Sequence, residues 1–286
     1  MNRNLSILAG ALALALSGQA SASLTQANTP GGSSLTLSVW DSVLGLGYTR
    51  NLGFVLNSFL PSGFTTLPND GTVTGTAVMG DKTPAAGLNL SFPGDALFGS
   101  TFGSSDAANI SWNIVAVDNQ SSAGSGLSRV ITTTNGSPGT TNAGMGLIGG
   151  GYTTYTNALL AQTTIGSVSV NSAAITDSSL ESFAGRPTWG GPLNGGLQQS
   201  SIGTGYGGTL DFYYLARTQV SGVNSTLANK LQFANEAGPA SWTLASDGTA
   251  TYAVSAVPLP AAVWLMGSGL VVVLAAARRR KQPSVA

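Results

Sequence analysis

Hydrophobic and polar residues alternate with a period of two in several short runs of this chain. Leu35, Leu37 and Val39 in "SLTLSVW", Ile110, Trp112 and Ile114 in "ISWNIVAV", Val168 and Val170 in "SVSV", and Leu210, Phe212 and Tyr214 in "TLDFYYLA" each place apolar side chains on one side of an extended backbone. That spacing predicts half-buried β-strands, because successive side chains of a strand point to opposite faces. In "ASWTLASDGTATYAV" the pair Asp247 and Gly248 separates two such runs, a strong short-range hairpin signal. Trp242 and Leu244 on one arm and Tyr252 and Val254 on the other are then expected to face one core. Helical periodicity is sparse: "YTNALLAQ" around Leu159 predicts one or two turns. Residues 132–151 and 185–208, rich in Gly, Thr and Asn, read as long loops. No fixed repeat indicates a solenoid. The expected fold is all-β, one domain over about residues 24–256, a two-sheet β-sandwich of jelly-roll type, with a β-helix-like stack as the weaker alternative.

Composition supports that reading. Only 8% of the 286 residues are charged and 39 are Gly, with Thr, Ser and Asn standing where helical proteins carry Lys and Glu. Trp40, Trp112, Trp189 and Trp242 sit in apolar runs, which argues for a packed core rather than a disordered chain. The chain contains no His and no Cys. Imidazole-based catalytic dyads and triads, disulfides and the usual Cys/His zinc sites are thereby excluded.

The formal net charge of zero conceals an asymmetry. Between residues 23 and 257 there are six basic side chains, Arg50, Lys82, Arg129, Arg186, Arg217 and Lys230, against eleven acidic ones. No Lys/Arg stripe is available to neutralise phosphates, so nucleic acid is not an expected partner.

The two ends read differently from the middle. "MNRNLSILAGALALALSGQASAS" has a positive start at Arg3, an apolar stretch from Leu5 to Leu16, and small residues at Ala20 and Ala22. This is the pattern of a secretory signal peptide over residues 1–22, cut after Ala22. At the other end no charge interrupts the run from Pro260 to Ala277. As a helix it would be about 27 Å long, enough to cross the hydrocarbon of a bilayer. Arg278, Arg279, Arg280 and Lys281 follow as a stop-transfer cluster that stays on the cytoplasmic side, leaving the β domain exported.

The "VPLP" before this helix holds the chain extended, since two prolines cannot enter a helix interior. A short proline motif, an apolar helix and a terminal Arg cluster, in that order, resemble the PEP-CTERM sorting domain. Val257, Pro258, Leu259, Pro260 and Ala261 fall on the positions of its VPLPA variant, with Leu259 where the commonest form has glutamate. The resemblance covers residues 257–281 and little more. It implies delivery through the Sec translocon, transient anchoring in the inner membrane, and processing by an exosortase in a Gram-negative bacterium that makes exopolysaccharide. The exported domain would then reach the cell surface or the extracellular matrix.

Within the exported domain no residue earns a catalytic role. Asp41, Asp95, Asp177, Glu181 and Asp211 could supply a glycosidase-like carboxylate pair, but spacing selects none. Neither Lys82 nor Lys230 has a Ser at the Ser-x-x-Lys spacing. Gly144, Gly146 and Gly149, like Gly203, Gly205 and Gly208, match G-x-G-x-x-G without the strand and helix a dinucleotide needs, and read as loop tips. No organic cofactor and no metal centre is expected. Structural calcium is the one ion the loops could hold, with Asp70, Asp118 and Asn119 as oxygen donors, although no EF-hand loop is present. Trp189 and Tyr206 are candidates for stacking on a sugar, with exopolysaccharide as the partner. A non-enzymatic surface or matrix protein is therefore the leading expectation. A secreted carbohydrate-binding module and a carboxylate-dependent hydrolase stand behind it.

Overall fold

The computed structural model describes residues 24–60, 90–119, 128–165, 170–186, 203–217, 225, 227–235 and 238–254. The signal-peptide reading at 1–22 and the sorting-signal reading at 257–281 lie outside these residues. Among the described residues no helix is long and apolar enough to cross a membrane.

The chain is mostly β. In order it forms β1 (Ser34–Asp41), β2 (Leu46–Val55), α1 (Leu56–Phe59), β3 (Leu90–Phe92), α2 (Ala96–Phe102), β4 (Ile110–Asp118), β5 (Arg129–Thr134) and α3 (Asn142–Gln162). There follow β6 (Ser172–Ile175), β7 (Gly203–Thr204), β8 (Thr209–Ala216), β9 (Asn229–Gln232), β10 (Ala234–Asn235), β11 (Gly238–Leu244) and β12 (Ala250–Val254). The strands make one antiparallel sheet with the order β3-β12-β11-β8-β5-β4-β1-β2-β6; β7, β9 and β10 are short additions.

The sheet curls until its ends meet. Phe54 of β2 and Phe92 of β3, far apart along the strand order, have ring centroids 6.2 Å apart. The alternation read from the sequence decides what lies inside the curl. Leu35, Leu37 and Val39, Ile110, Trp112 and Ile114, and Leu210, Phe212 and Tyr214 all enter one core. The predicted hairpin forms too, with Trp242 opposite Tyr252 and Leu244 opposite Ala250, and Gly248 supplies the positive φ of +83° that its turn requires. Trp242, Leu244, Tyr252 and Val254 join the same core, where Phe59 and Phe212 make edge-on ring contacts with Tyr252.

Three expectations need correction. Val170 lies ahead of a strand rather than in one, because the pairing with β2 begins at Ser172; Val168 falls outside the described residues. Residues 132–151 are not a loop: β5 ends at Thr134 and α3 begins at Asn142 and runs for 21 residues. The Gly144, Gly146 and Gly149 set therefore sits within a helix, not at a loop tip. Glycine costs roughly 1 kcal/mol per residue in a helix. Burial overcomes it, because Met145, Ile148, Tyr152, Tyr155 and Leu159 recur at helical spacing and pack on the outer face of the sheet with Val115, Val117 and Val130. Thr141 caps the helix by accepting from the Gly144 amide at 3.1 Å. At Gly149 a Cβ would lie 2.5 Å from Asn119 Oδ1, so glycine here permits the close approach.

The third correction concerns the half-buried strands. All eight residues of β1 and all six of β5 are buried, since α3 covers their outer face. Hydroxyls that alternation assigns to solvent are hydrogen-bonded beneath the helix instead. Tyr152 Oη pairs with Thr36 Oγ1 at 3.0 Å, and Tyr155 Oη reaches Thr49 Oγ1 and, at 3.5 Å, Ser38 Oγ. Strands β11 and β12, away from α3, keep the expected half-buried alternation.

Candidate functional site

Polar chemistry concentrates where the ends of the sheet meet. The turn after β3 carries Pro93, Gly94 and Asp95; across from it stand Tyr48 and Arg50 of β2 and Ser172 of β6. Asp95 is the N-cap of α2, its Oδ1 accepting from the Phe98 amide at 2.8 Å. Its Oδ2 accepts from Tyr48 Oη at 2.9 Å and from Ser172 Oγ at 2.6 Å. Arg50 Nη1 donates to the Pro93 carbonyl. Side chains thus close the curl.

Burial would raise the Asp95 pKa, but the bonds from Ser172, the Phe98 amide and Tyr48, with the positive charge of Arg50, hold it below the ordinary carboxylate value. Burial, followed by the Asp95 charge, pushes the Tyr48 hydroxyl upward, so it stays a neutral donor. Arg50 is only 5% exposed. Arg50, Asp95 and Ser172, with Leu97, Val170 and Asn171, line a surface pocket of about 500 Å³.

A second polar cluster is enclosed at the other end of the strands. Arg129 Nε donates to Asp118 Oδ2 at 3.2 Å, its Nη2 reaches the same oxygen, and Nη2 also donates to Asn57 Oδ1 at 2.9 Å. Both ion-pair side chains are nearly sealed from solvent, at 2% and 4% exposure. Burial, opposed by the Arg129 charge, pushes the neighbouring Tyr214 hydroxyl up to about 12.

The remaining predicted residues fall elsewhere. Asp118 and Asn119, named as calcium donors, serve protein partners: Asp118 pairs with Arg129, and Asn119 Oδ1 accepts from Ser128 Oγ at 3.0 Å. Asp70 lies outside the described residues. Among the described residues no group of three or more His, Cys, Asp or Glu side chains could hold a metal. Of the five acids weighed for catalysis, Asp41 is buried at the end of β1, where its Oδ1 accepts from the Val43 and Leu44 amides. Asp177 binds the amide and hydroxyl of Ser179, and Glu181 pairs with Arg186 at 2.9 Å. Burial raises the Asp211 pKa on β8. The fifth, Asp95, is the seam carboxylate.

Tyr206 is half-buried and packs edge-on against Phe98 at 6.4 Å, in a turn pinned by Trp112 Nε1 donating to the Gly205 carbonyl at 3.1 Å. It anchors that turn rather than presenting an open ring face. Trp189 lies outside the described residues. Sequence reasoning missed Arg50, Arg129, Tyr48 and Ser172. For the two arginines a signal existed, since a cation inside an alternating apolar run is costly unless paired.

No family model, no curated protein and no solved structure matches the chain.

Proposed function

We propose that this chain is an exported, non-enzymatic protein of the bacterial surface or extracellular matrix, delivered through a C-terminal sorting signal. The observation that carries the reading is the order of three elements in residues 257–281: Val257, Pro258, Leu259, Pro260 and Ala261, then an uninterrupted apolar run, then Arg278, Arg279, Arg280 and Lys281. Each has a separate physical role: the prolines present an extended backbone to a protease-like subsite, the run dissolves in lipid, and the cations fix the orientation. The signal peptide, cut after Ala22, brings the chain to the Sec translocon, and an exosortase handles the tail at the inner membrane. The exported part is a single curled antiparallel sheet around one aromatic core, where the sequence pattern predicts a two-sheet sandwich of jelly-roll type. The absence of His and Cys from the whole chain favours a structural or binding role over catalysis.

The test is to replace Pro258 and Pro260 together by alanine and follow the C-terminus of the protein by mass spectrometry in membrane and released fractions. The full-length tail should be retained in the inner membrane of the variant and removed from the wild type. Equal release and an identical C-terminus in both would overturn the reading.

A further inference from the structure

The seam that closes the sheet also forms a groove, and its chemistry points to a ligand independently of how the chain is sorted. The first chamber, about 500 Å³, lies between Arg50, Asp95 and Ser172. A second, about 650 Å³, continues beside β6, sharing Leu97, Val170 and Ser172 with the first and extending to Gln162 and Thr163. Both are shallow and open to solvent, with volumes in the range of small-ligand sites.

Arg50 carries the argument. It is 5% exposed and lines the first chamber, yet of its five N–H donors one is engaged by hydrogen bonding among the described residues, to the Pro93 carbonyl. Asp95, beside it, has accepted three donors and retains acceptor capacity on Oδ1, which takes only the Phe98 amide. The first chamber thus offers a cationic donor and an anionic acceptor side by side with no net charge. Among the described residues the second chamber is lined by no ionisable side chain. Leu97, 36% exposed, gives both chambers an apolar wall.

A carboxylate or phosphate ligand would be attracted by Arg50 but repelled by Asp95, and a cation the reverse. An apolar ligand would bury the guanidinium without acceptors. A peptide adding to the edge of β6 would satisfy backbone groups but leaves the paired charges unused. A sugar ring answers all the features: each hydroxyl donates and accepts, adjacent hydroxyls match Asp95 and Arg50, and the C–H face lies on Leu97. We propose that this groove binds a neutral linear oligosaccharide, one ring over Arg50 and Asp95 and the next along Leu97 toward Gln162 and Thr163.

The experiment uses the full-length protein in a sugar-free detergent, titrated calorimetrically with maltotriose, cellotriose and mannotriose up to about 10 mM, and separately with glucuronic acid. Saturable binding of at least one neutral trisaccharide is expected. Leu97→Arg, at an exposed position, should leave the circular dichroism spectrum unchanged and weaken that binding at least tenfold. Arg50→Lys, which keeps the charge and removes the fork, should weaken it as well. The proposal is overturned if none of the three neutral sugars binds, if glucuronic acid alone binds, if the folded Leu97→Arg variant binds as tightly as wild type, or if an extended peptide displaces the sugar with higher affinity.

Discussion

Replacing Arg129 by methionine should remove a large part of the stability of this protein, and replacing its partner as well should restore much of it. The substitution keeps an unbranched apolar stem and deletes the guanidinium, so Asp118, at 4% exposure, loses both bonds from Arg129 and the charge that balances it in the buried pair. Asn57 loses its donor too. Breaking a buried pair by removing one member costs about 3–5 kcal/mol. Against a total of about 5–15 kcal/mol for a folded domain, that is at least about a fifth of the whole. A domain of this size shifts by about 2–4 °C per kcal/mol, so the melting temperature should fall by about 6–20 °C. The double variant Arg129→Met with Asp118→Leu removes both charges and should recover at least half of the loss, because ion pairs exchanged for apolar residues are often neutral or better. Thermal and urea unfolding of the purified protein measure both. A single variant costing less than about 1 kcal/mol, or a double variant no more stable than the single, would refute the view that this pair is sealed from water.

Other substitutions test the remaining elements. Gly150→Ala, where a Cβ meets nothing within 4 Å, should stabilise α3 by about 0.5–1 kcal/mol. Gly149→Ala next to it, facing Asn119 at 2.5 Å, should instead destabilise, and urea midpoints moving the same way in both would contradict the packing of α3. Asp95 has a lowered pKa, so its contribution is complete above the ordinary carboxylate value and is lost as pH falls through the folded one. Urea midpoints of wild type should therefore drop below about pH 4, and Asp95→Asn should be less stable at pH 7 with a flatter acid limb. Asn113 is fully buried on β4 with neither amide atom hydrogen-bonded, so Asn113→Leu should raise stability by about 1–3 kcal/mol by calorimetry. Tyr155→Phe, which strips the partner from Thr49, should cost a similar amount.

Much of the sheet was legible because alternation is a local property. Which of Leu35 to Val39 face inward follows from parity alone, and Asp247 with Gly248 sets the turn through one backbone angle. What covers the opposite face is not local. The Ser and Thr of β1 look like solvent positions until Tyr152 and Tyr155 arrive from a helix whose own glycines disguise it. The seam was hidden for the same reason. Asp95 and Arg50 belong to segments joined only by the curl of the whole sheet, and no spacing between them encodes that meeting. Arg129 was readable in part, as a cation within "SRVITTT", but its partner required the register of β4 against β5.

The way the curl closes has a mechanical consequence. Elsewhere neighbouring strands are joined by ladders of main-chain bonds, whereas β3 and β6 are bridged, among the described residues, through Asp95, Tyr48, Arg50 and Ser172. The molecule is a ring fastened by a clasp rather than a weld. Protonating Asp95 weakens the clasp, so the two strand margins it holds together are where the ring should open first as the solution is acidified.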